Sequence, residues 1–156
     1  MSDWTIRAAE RRDVGALLRI EDAAFPEPWT RAMLLDEITR LENRRYSVAD
    51  EAGRIVGYVG LMFVADEVHV NTLATVPGEE GRGIATSLLE EALAAARERG
   101  ALRATLEVAA TNERAQALYR RFGFAPVGVR KRYYERTGED ALVLWADLAD
   151  PAPDLR

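Results

Sequence analysis

Four features of this chain have the residue types and spacing to do chemistry: a Gly81-Arg82-Gly83 turn, Glu107, Asn112 and Tyr119. The turn follows the apolar, β-branched run Thr72-Leu73-Ala74-Thr75-Val76, which reads as a buried strand stopped by Pro77-Gly78. It precedes an apolar repeat at helical spacing, Ile84, Leu88, Leu89, Ala92 and Leu93, closed by Gly100. Strand, glycine turn and helix start together favour an anion, because the first amides of a helix are unpaired and its dipole is positive there. Glycines let a ligand approach the backbone, and Arg82 would add a mobile cation. A plain turn has the same pattern, so both readings stand at this level. Two phosphate cradles are excluded: the only lysine is Lys131, so none follows Gly83 as in a nucleotide P-loop, and Thr86 stands where a dinucleotide fingerprint needs its third glycine.

Glu107 lies inside an otherwise apolar strand, where a carboxylate is costly unless it meets water or a partner. Tyr119 lies on the apolar face of a helix, and Asn112 precedes that helix. Each has an ordinary explanation when taken singly: a solvated strand face, a core aromatic and a helix cap. His69, next to Glu67 by strand alternation, reads as structural.

The elements that must position these groups follow from periodicity. Trp4 to Arg7 reads as a short strand. Val14, Leu17, Leu18 and Phe25 mark one face of a helix closed by Phe25-Pro26-Glu27-Pro28. Thr30 caps a second helix whose Leu34, Ile38 and Leu41 share a face. Tyr46–Asp50 and Ile55–Met62 form a hairpin around Ala52-Gly53. In a later strand, Leu102, Leu106 and Val108 share one face, and Arg103, Thr105 and Glu107 the other. Thr111-Asn112-Glu113 starts a helix with Ala115, Leu118, Tyr119 and Phe122 on one face, ended by Gly123. Val127–Tyr134 and Ala141–Leu148 close the chain as an antiparallel pair. The order is β-α-α-β-β-β-α-β-α-β-β. It predicts an α+β fold with four helices and a mixed, mostly antiparallel, twisted sheet of about seven strands, locally parallel in the middle.

At 156 residues and 48% apolar content, the chain predicts one domain over residues 1–149, with a frayed tail over 150–156. A net charge of −5 argues against nucleic-acid binding. Between Arg114 and Arg136, however, Arg114, Arg120, Arg121, Arg130, Lys131, Arg132 and Arg136 face a single carboxylate, Glu135. This reads as a solvated face, with a basic rim for an anionic cofactor as the sharper alternative. There is no cysteine and one histidine, so thiolate and histidine-built metal sites are excluded and no metal is expected. No signal peptide or long apolar span is seen, which predicts a soluble, cytoplasmic protein without a membrane partner.

Glu80-Gly81-Arg82-Gly83-Ile84-Ala85 resembles the Arg/Gln-x-x-Gly-x-Gly/Ala signature of the GNAT acetyltransferases. Glu107-Val-Ala-Ala-Thr-Asn112, with Leu118-Tyr119 and Gly123-Phe124, is similar to the bacterial ribosomal-protein-alanine N-acetyltransferases. So are Phe25-Pro-Glu-Pro-Trp29-Thr30 and Arg130-Lys-Arg-Tyr-Tyr134 with Gly138-Glu-Asp-Ala141. The resemblance spans Ile6 to Leu148. It implies a GNAT-like fold and acetyl transfer from acetyl-CoA to a protein N-terminus, that of a ribosomal protein beginning with alanine, by direct transfer in a ternary complex. By position it implies Glu107 as general base and Tyr119 as general acid. Cofactor contacts would come from Leu73, Ala74, Thr75, Gly81, Arg82, Gly83, Ile84, Ala85, Thr86 and Asn112. A backbone amide near Thr75 would polarise the thioester oxygen where two central strands splay. No nucleophile stands in these blocks, so no covalent intermediate is implied, and a monomer is the default.

The chain departs from the pattern at three places. Glu80 replaces Arg or Gln, Val76-Pro77 replaces Asp-Pro, and Ala109 stands where close relatives often carry Arg. Two alternatives accompany the first reading: the same fold acting on a small amine or a lysine, and a non-catalytic acyl-CoA-binding protein, against which the titratable pair Glu107 and Tyr119 weighs.

Overall fold

The computed structural model describes residues 3–149; the tail expected over 150–156 lies outside the described residues. The elements run β1 (Thr5–Ala8), a short 3-10 turn (Arg11–Asp13), α1 (Val14–Ala24), α2 (Arg31–Thr39), β2 (Arg44–Glu51), β3 (Arg54–Val64), β4 (Glu67–Thr75), α3 (Ile84–Glu98), β5 (Arg103–Ala109), α4 (Glu113–Arg121), β6 (Ala125–Tyr134) and β7 (Glu139–Asp147). This is the expected order. The strands form one seven-stranded sheet in the order β1-β2-β3-β4-β5-β7-β6. β4 and β5 pair parallel, while β1/β2, β2/β3, β5/β7 and β6/β7 are antiparallel, so the sheet is mixed and mostly antiparallel as expected.

Packing groups the described residues into two compact units, one up to Met62 with Val70–Ala92, the other Phe63–His69 with the chain from Leu93 onward. The core of the first gathers Val14, Leu17, Ile20, Leu34, Ile38, Tyr46, Val48 and Tyr58. The Thr30 hydroxyl accepts from the Met33 N–H at 3.2 Å and caps α2 as expected. A polar network runs through this unit. The fully buried Glu21 carboxylate accepts from the Tyr58 hydroxyl, from Thr72 Oγ1 at 3.0 Å and from the Trp29 N–H at 3.0 Å. Glu37 accepts from the Tyr46 hydroxyl at 2.7 Å, Arg44 Nε at 3.0 Å and Asn71 Nδ2 at 3.0 Å. Gly60 makes room for this arrangement, because a Cβ there would stand 2.2 Å from the Tyr46 ring.

In the second unit Ala104, Leu106 and Val108 of β5 are buried, as are Tyr119, Phe122 and Phe124. β6, at one edge of the sheet, is exposed along nearly its whole length.

Four local expectations are corrected. β1 begins at Thr5, not Trp4. α2 ends at Thr39, leaving Leu41 beyond the helix and 78% exposed. β5 begins at Arg103, so Leu102 is 49% exposed and Ala104 takes the buried position. The run before the glycine turn is not buried throughout: in β4 Val68, Val70, Thr72 and Ala74 are buried while His69, Asn71, Leu73 and Thr75 are partly exposed, and Val76 lies past the strand. Alternation, not apolar composition, decides which of its side chains reach the core.

Candidate active site

The glycine turn belongs to the first unit. The Val76 N–H donates to the Val56 carbonyl at 2.9 Å, which ties the chain leaving β4 to β3. Gly81 and Gly83 have φ of +86° and +87°, a region costly for any residue with a Cβ, and the space a Cβ would fill is open at both. The Ser87 N–H donating to the Gly83 carbonyl at 2.9 Å begins the α3 ladder. The amides of Ile84, Ala85 and Thr86 precede that first bond and have no partner within the helix. Ile84, Leu88 and Leu89 are buried, which anchors the helix start. The turn thus fits a phosphate group: glycines in a conformation open to them, free space beside the backbone and a helix N-terminus.

Both charged residues of the turn have partners. The Glu80 carboxylate accepts from the Gly78 N–H at 2.8 Å and is used within its own turn. Arg82 was expected as a mobile cation. Instead it is anchored: it donates to Glu79 at 2.8 Å and to Glu51, and its guanidinium lies 5.4 Å from the Trp4 ring centroid. The hydrogen bonds to Glu51 and Glu79 push its pKa further up. Leu73, Ala74 and Thr75 form the end of β4 in the same unit. A separate cavity of about 740 Å³, walled in part by Arg12, Arg19, Arg54 and Val76, includes none of the expected cofactor residues. Arg12 is paired there with Glu10, and Arg54 with Glu79.

Glu107, Asn112 and Tyr119 belong to the second unit. Parallel pairing sets His69 of β4 opposite Thr105 of β5, so Glu107, two residues on, shares the face on which His69 stands. The two side chains meet, His69 Nε2 to Glu107 Oε2, at 2.6 Å. Arg130 Nη1 of β6 lies 3.4 Å from Glu107 Oε1. The Glu107 side chain is 15% exposed, so the expected solvated strand face is replaced by a sheltered, partnered carboxylate. The His69 hydrogen bond is the largest influence on Glu107; it outweighs desolvation and, with Arg130, holds the carboxyl below its ordinary value. Glu107 is therefore ionised at neutral pH.

Tyr119 is 7% exposed, and its ring meets Phe124 edge-on at 5.6 Å. Burial, with the Tyr134 charge as a smaller cause, pushes the phenol pKa well up, so the group keeps its proton. Asn112 caps α4: its side chain accepts from the Ala115 N–H at 3.1 Å. Buried Gln116 donates to the carbonyls of Ala109 and Ala110 at 3.1 and 3.0 Å, which fixes the turn from β5 into α4. The seven cations between Arg114 and Arg136 are exposed, in keeping with a solvated face.

Sequence reading missed two things here. His69 reads as structural beside Glu67 in the sequence; its contact with Glu107, 38 residues away, is visible only in the β4/β5 register. Glu21 had a local signal, since it falls four residues after Leu17 on the buried face of α1.

The Acetyltransferase (GNAT) family model matches residues 14–124. N-alpha-acetyltransferase RimI of Mycobacterium tuberculosis is 37% identical over 154 residues, 95% of each chain. The ribosomal protein bS18-alanine N-acetyltransferase of Escherichia coli K12 is 29% identical over 90% of this chain and 95% of its own. The crystal structure of the ribosomal-protein-S18-alanine N-acetyltransferase from Escherichia coli matches with a TM-score of 0.86 at 27% identity, covering 98% of this chain and 99% of that one. With the family match spanning most of its length, the chain belongs to the GNAT acetyltransferases and is an acetyl-CoA-dependent N-acetyltransferase.

Proposed function

We propose that this enzyme acetylates the N-terminal α-amine of a protein, with the N-terminal alanine of a ribosomal protein as its substrate, by direct transfer in a ternary complex. The observation that carries the reading is Glu107, an ionised and sheltered carboxylate inside an apolar strand. The names of the similar enzymes support the choice of substrate.

Acetyl-CoA, when bound, supplies the acyl thioester. The amides of the Gly81–Thr86 turn and helix start would hold its pyrophosphate, with Leu73, Ala74 and Thr75 along its arm and Asn112 as a further contact. Arg82 shares its charge with Glu51 and Glu79, so the amides carry the larger part of the anion binding. A backbone N–H near Thr75 would polarise the thioester oxygen.

Glu107 takes a proton from the attacking amine, directly or through one water, and Tyr119 gives its proton to the departing sulfur. Freeing an α-amine with a pKa near 8 costs about 1.4 kcal/mol at pH 7, against about 4.6 kcal/mol for a lysine. A carboxylate held below its ordinary pKa is a weak base, which suits the cheaper proton. A cytoplasmic monomer with one catalytic domain over residues 1–149, and no nucleic-acid or membrane partner, belongs to the same reading.

The test is mass spectrometry of a peptide library with varied first residues after incubation with acetyl-CoA, alongside a panel of small amines. Acetylation confined to α-amines, with alanine preferred, is the expected result. Transfer only to small amines or lysine side chains would overturn the substrate assignment, and tight acetyl-CoA binding without any transfer would indicate a binding protein.

A further inference from the structure

Glu107 is not held by its own strand alone. Its Oε2 meets Nε2 of His69 at 2.6 Å, while the only other side chain bonded to it among the described residues, Arg130, reaches Oε1 at 3.4 Å from an exposed position. An ionised carboxylate only accepts hydrogen bonds, so a contact as short as that to His69 requires the imidazole proton on Nε2. The two side chains are 25% and 15% exposed, sheltered enough for the bond to hold its geometry. The parallel register of β4 and β5 brings the two within reach, because His69 pairs with Thr105 and Glu107 is the next residue on that face.

We infer that His69 is a positioning residue for the acetyl-transfer reaction: by donating from Nε2 to Oε2 it fixes the Glu107 carboxylate and leaves Oε1 as the oxygen that takes the amine proton. The inference rests on the reading of Glu107 as general base. In the step itself the ammonium N–H bond breaks, its proton goes to Oε1, and the freed nitrogen lone pair forms the bond to the acyl carbon. The thioester C–S bond then breaks, the departing sulfur takes the Tyr119 proton, and the second proton shed by the nitrogen restores that phenol. His69 keeps its own proton throughout. The device costs Glu107 some basicity and provides orientation, which is worth up to about 10²-fold in rate when a reacting group would otherwise be misplaced by about 1 Å.

Two measurements test this. His69 is the only histidine of the chain, so the imidazole ¹⁵N NMR signals belong to one residue. They are expected to show Nε2 protonated, with its resonance moving on Glu107→Gln. An Nδ1-protonated tautomer, or signals indifferent to Glu107→Gln, would overturn the inference whatever the role of Glu107. In steady-state kinetics His69→Ala should lower kcat about tenfold to hundredfold while KM for both substrates stays within about twofold. His69→Gln, which retains a side-chain N–H donor, should recover most of the loss, and His69→Ala added to Glu107→Gln should cost nothing further. An inactive Glu107→Gln beside an unimpaired His69→Ala would sink the inference and spare the base assignment. A fully active Glu107→Gln would sink both.

Discussion

A carboxylate and a phenol with opposite protonation at neutral pH are what an amine-to-thioester transfer needs. Glu107 is kept ionised by His69 and Arg130, and Tyr119 is kept protonated by burial. Glu107→Gln is expected to lower kcat by about 10²–10⁴-fold, the usual contribution of a general base, with the Kd for acetyl-CoA within about twofold by calorimetry. Tyr119→Phe should reduce kcat less, because solvent can protonate a thiolate, and single-turnover kinetics would locate the loss in the chemical step. Unchanged turnover in both variants would remove the role assignment. Both residues stood out in the sequence, by resemblance for the roles proposed for them and by strand and helix periodicity for their placement. The partners of Glu107 were not, since a hydrogen bond between residues 69 and 107 is written in strand register rather than in either local segment.

Helix ends and turns carry the next set of expectations. Thr30→Ala removes the acceptor of the Met33 N–H and should destabilise the fold by about 1 kcal/mol in urea unfolding. Gly83→Ala places a Cβ at φ +87°, where there is room but the backbone is strained. A loss of about 1 kcal/mol in stability is expected, with weaker acetyl-CoA binding if the turn holds the pyrophosphate. Two carboxylates of the first unit should respond to pH with opposite sign. Asp13 lies in a two-pronged pair with Arg7, at 2.8 and 2.9 Å, and its pKa is lowered chiefly by that bond. Its contribution is present above the ordinary carboxylate range and is lost as pH falls through its depressed pKa. Asp13→Asn should therefore be less stable than the parent at pH 7, by about 1–3 kcal/mol, and the gap should close on acidification. Burial raises the pKa of Glu21, so the folded state binds its proton more tightly than the unfolded chain does. Its contribution is present below the ordinary range and is lost as pH rises through the raised value. The stability of Glu21→Gln relative to the parent should accordingly rise with pH, and equilibrium unfolding at pH 4 and pH 8 would show whether the two slopes differ in sign.

At the scale of the molecule, a bound co-substrate stabilises the fold by mass action. Acetyl-CoA at about 100 times its Kd should add about 2.7 kcal/mol and raise Tm by roughly 5–11 °C in scanning calorimetry. A chain that does not bind the cofactor would show an unchanged Tm. Element order, strand and helix type, the capping of α2 and α4 and the position of the glycine turn were all determined by the sequence alone. Periodicity, capping and glycine placement act over a few residues, so one segment contains the whole cause. Tertiary structure alone decided that Arg82 is anchored by Glu51 and Glu79, that the buried Glu21 joins α1 to β3 and β4, and that His69 holds Glu107. These are pairings of charges and hydroxyls from distant segments. Their energies depend on distances of about 3 Å, which no single segment sets and which only strand register and helix packing bring about.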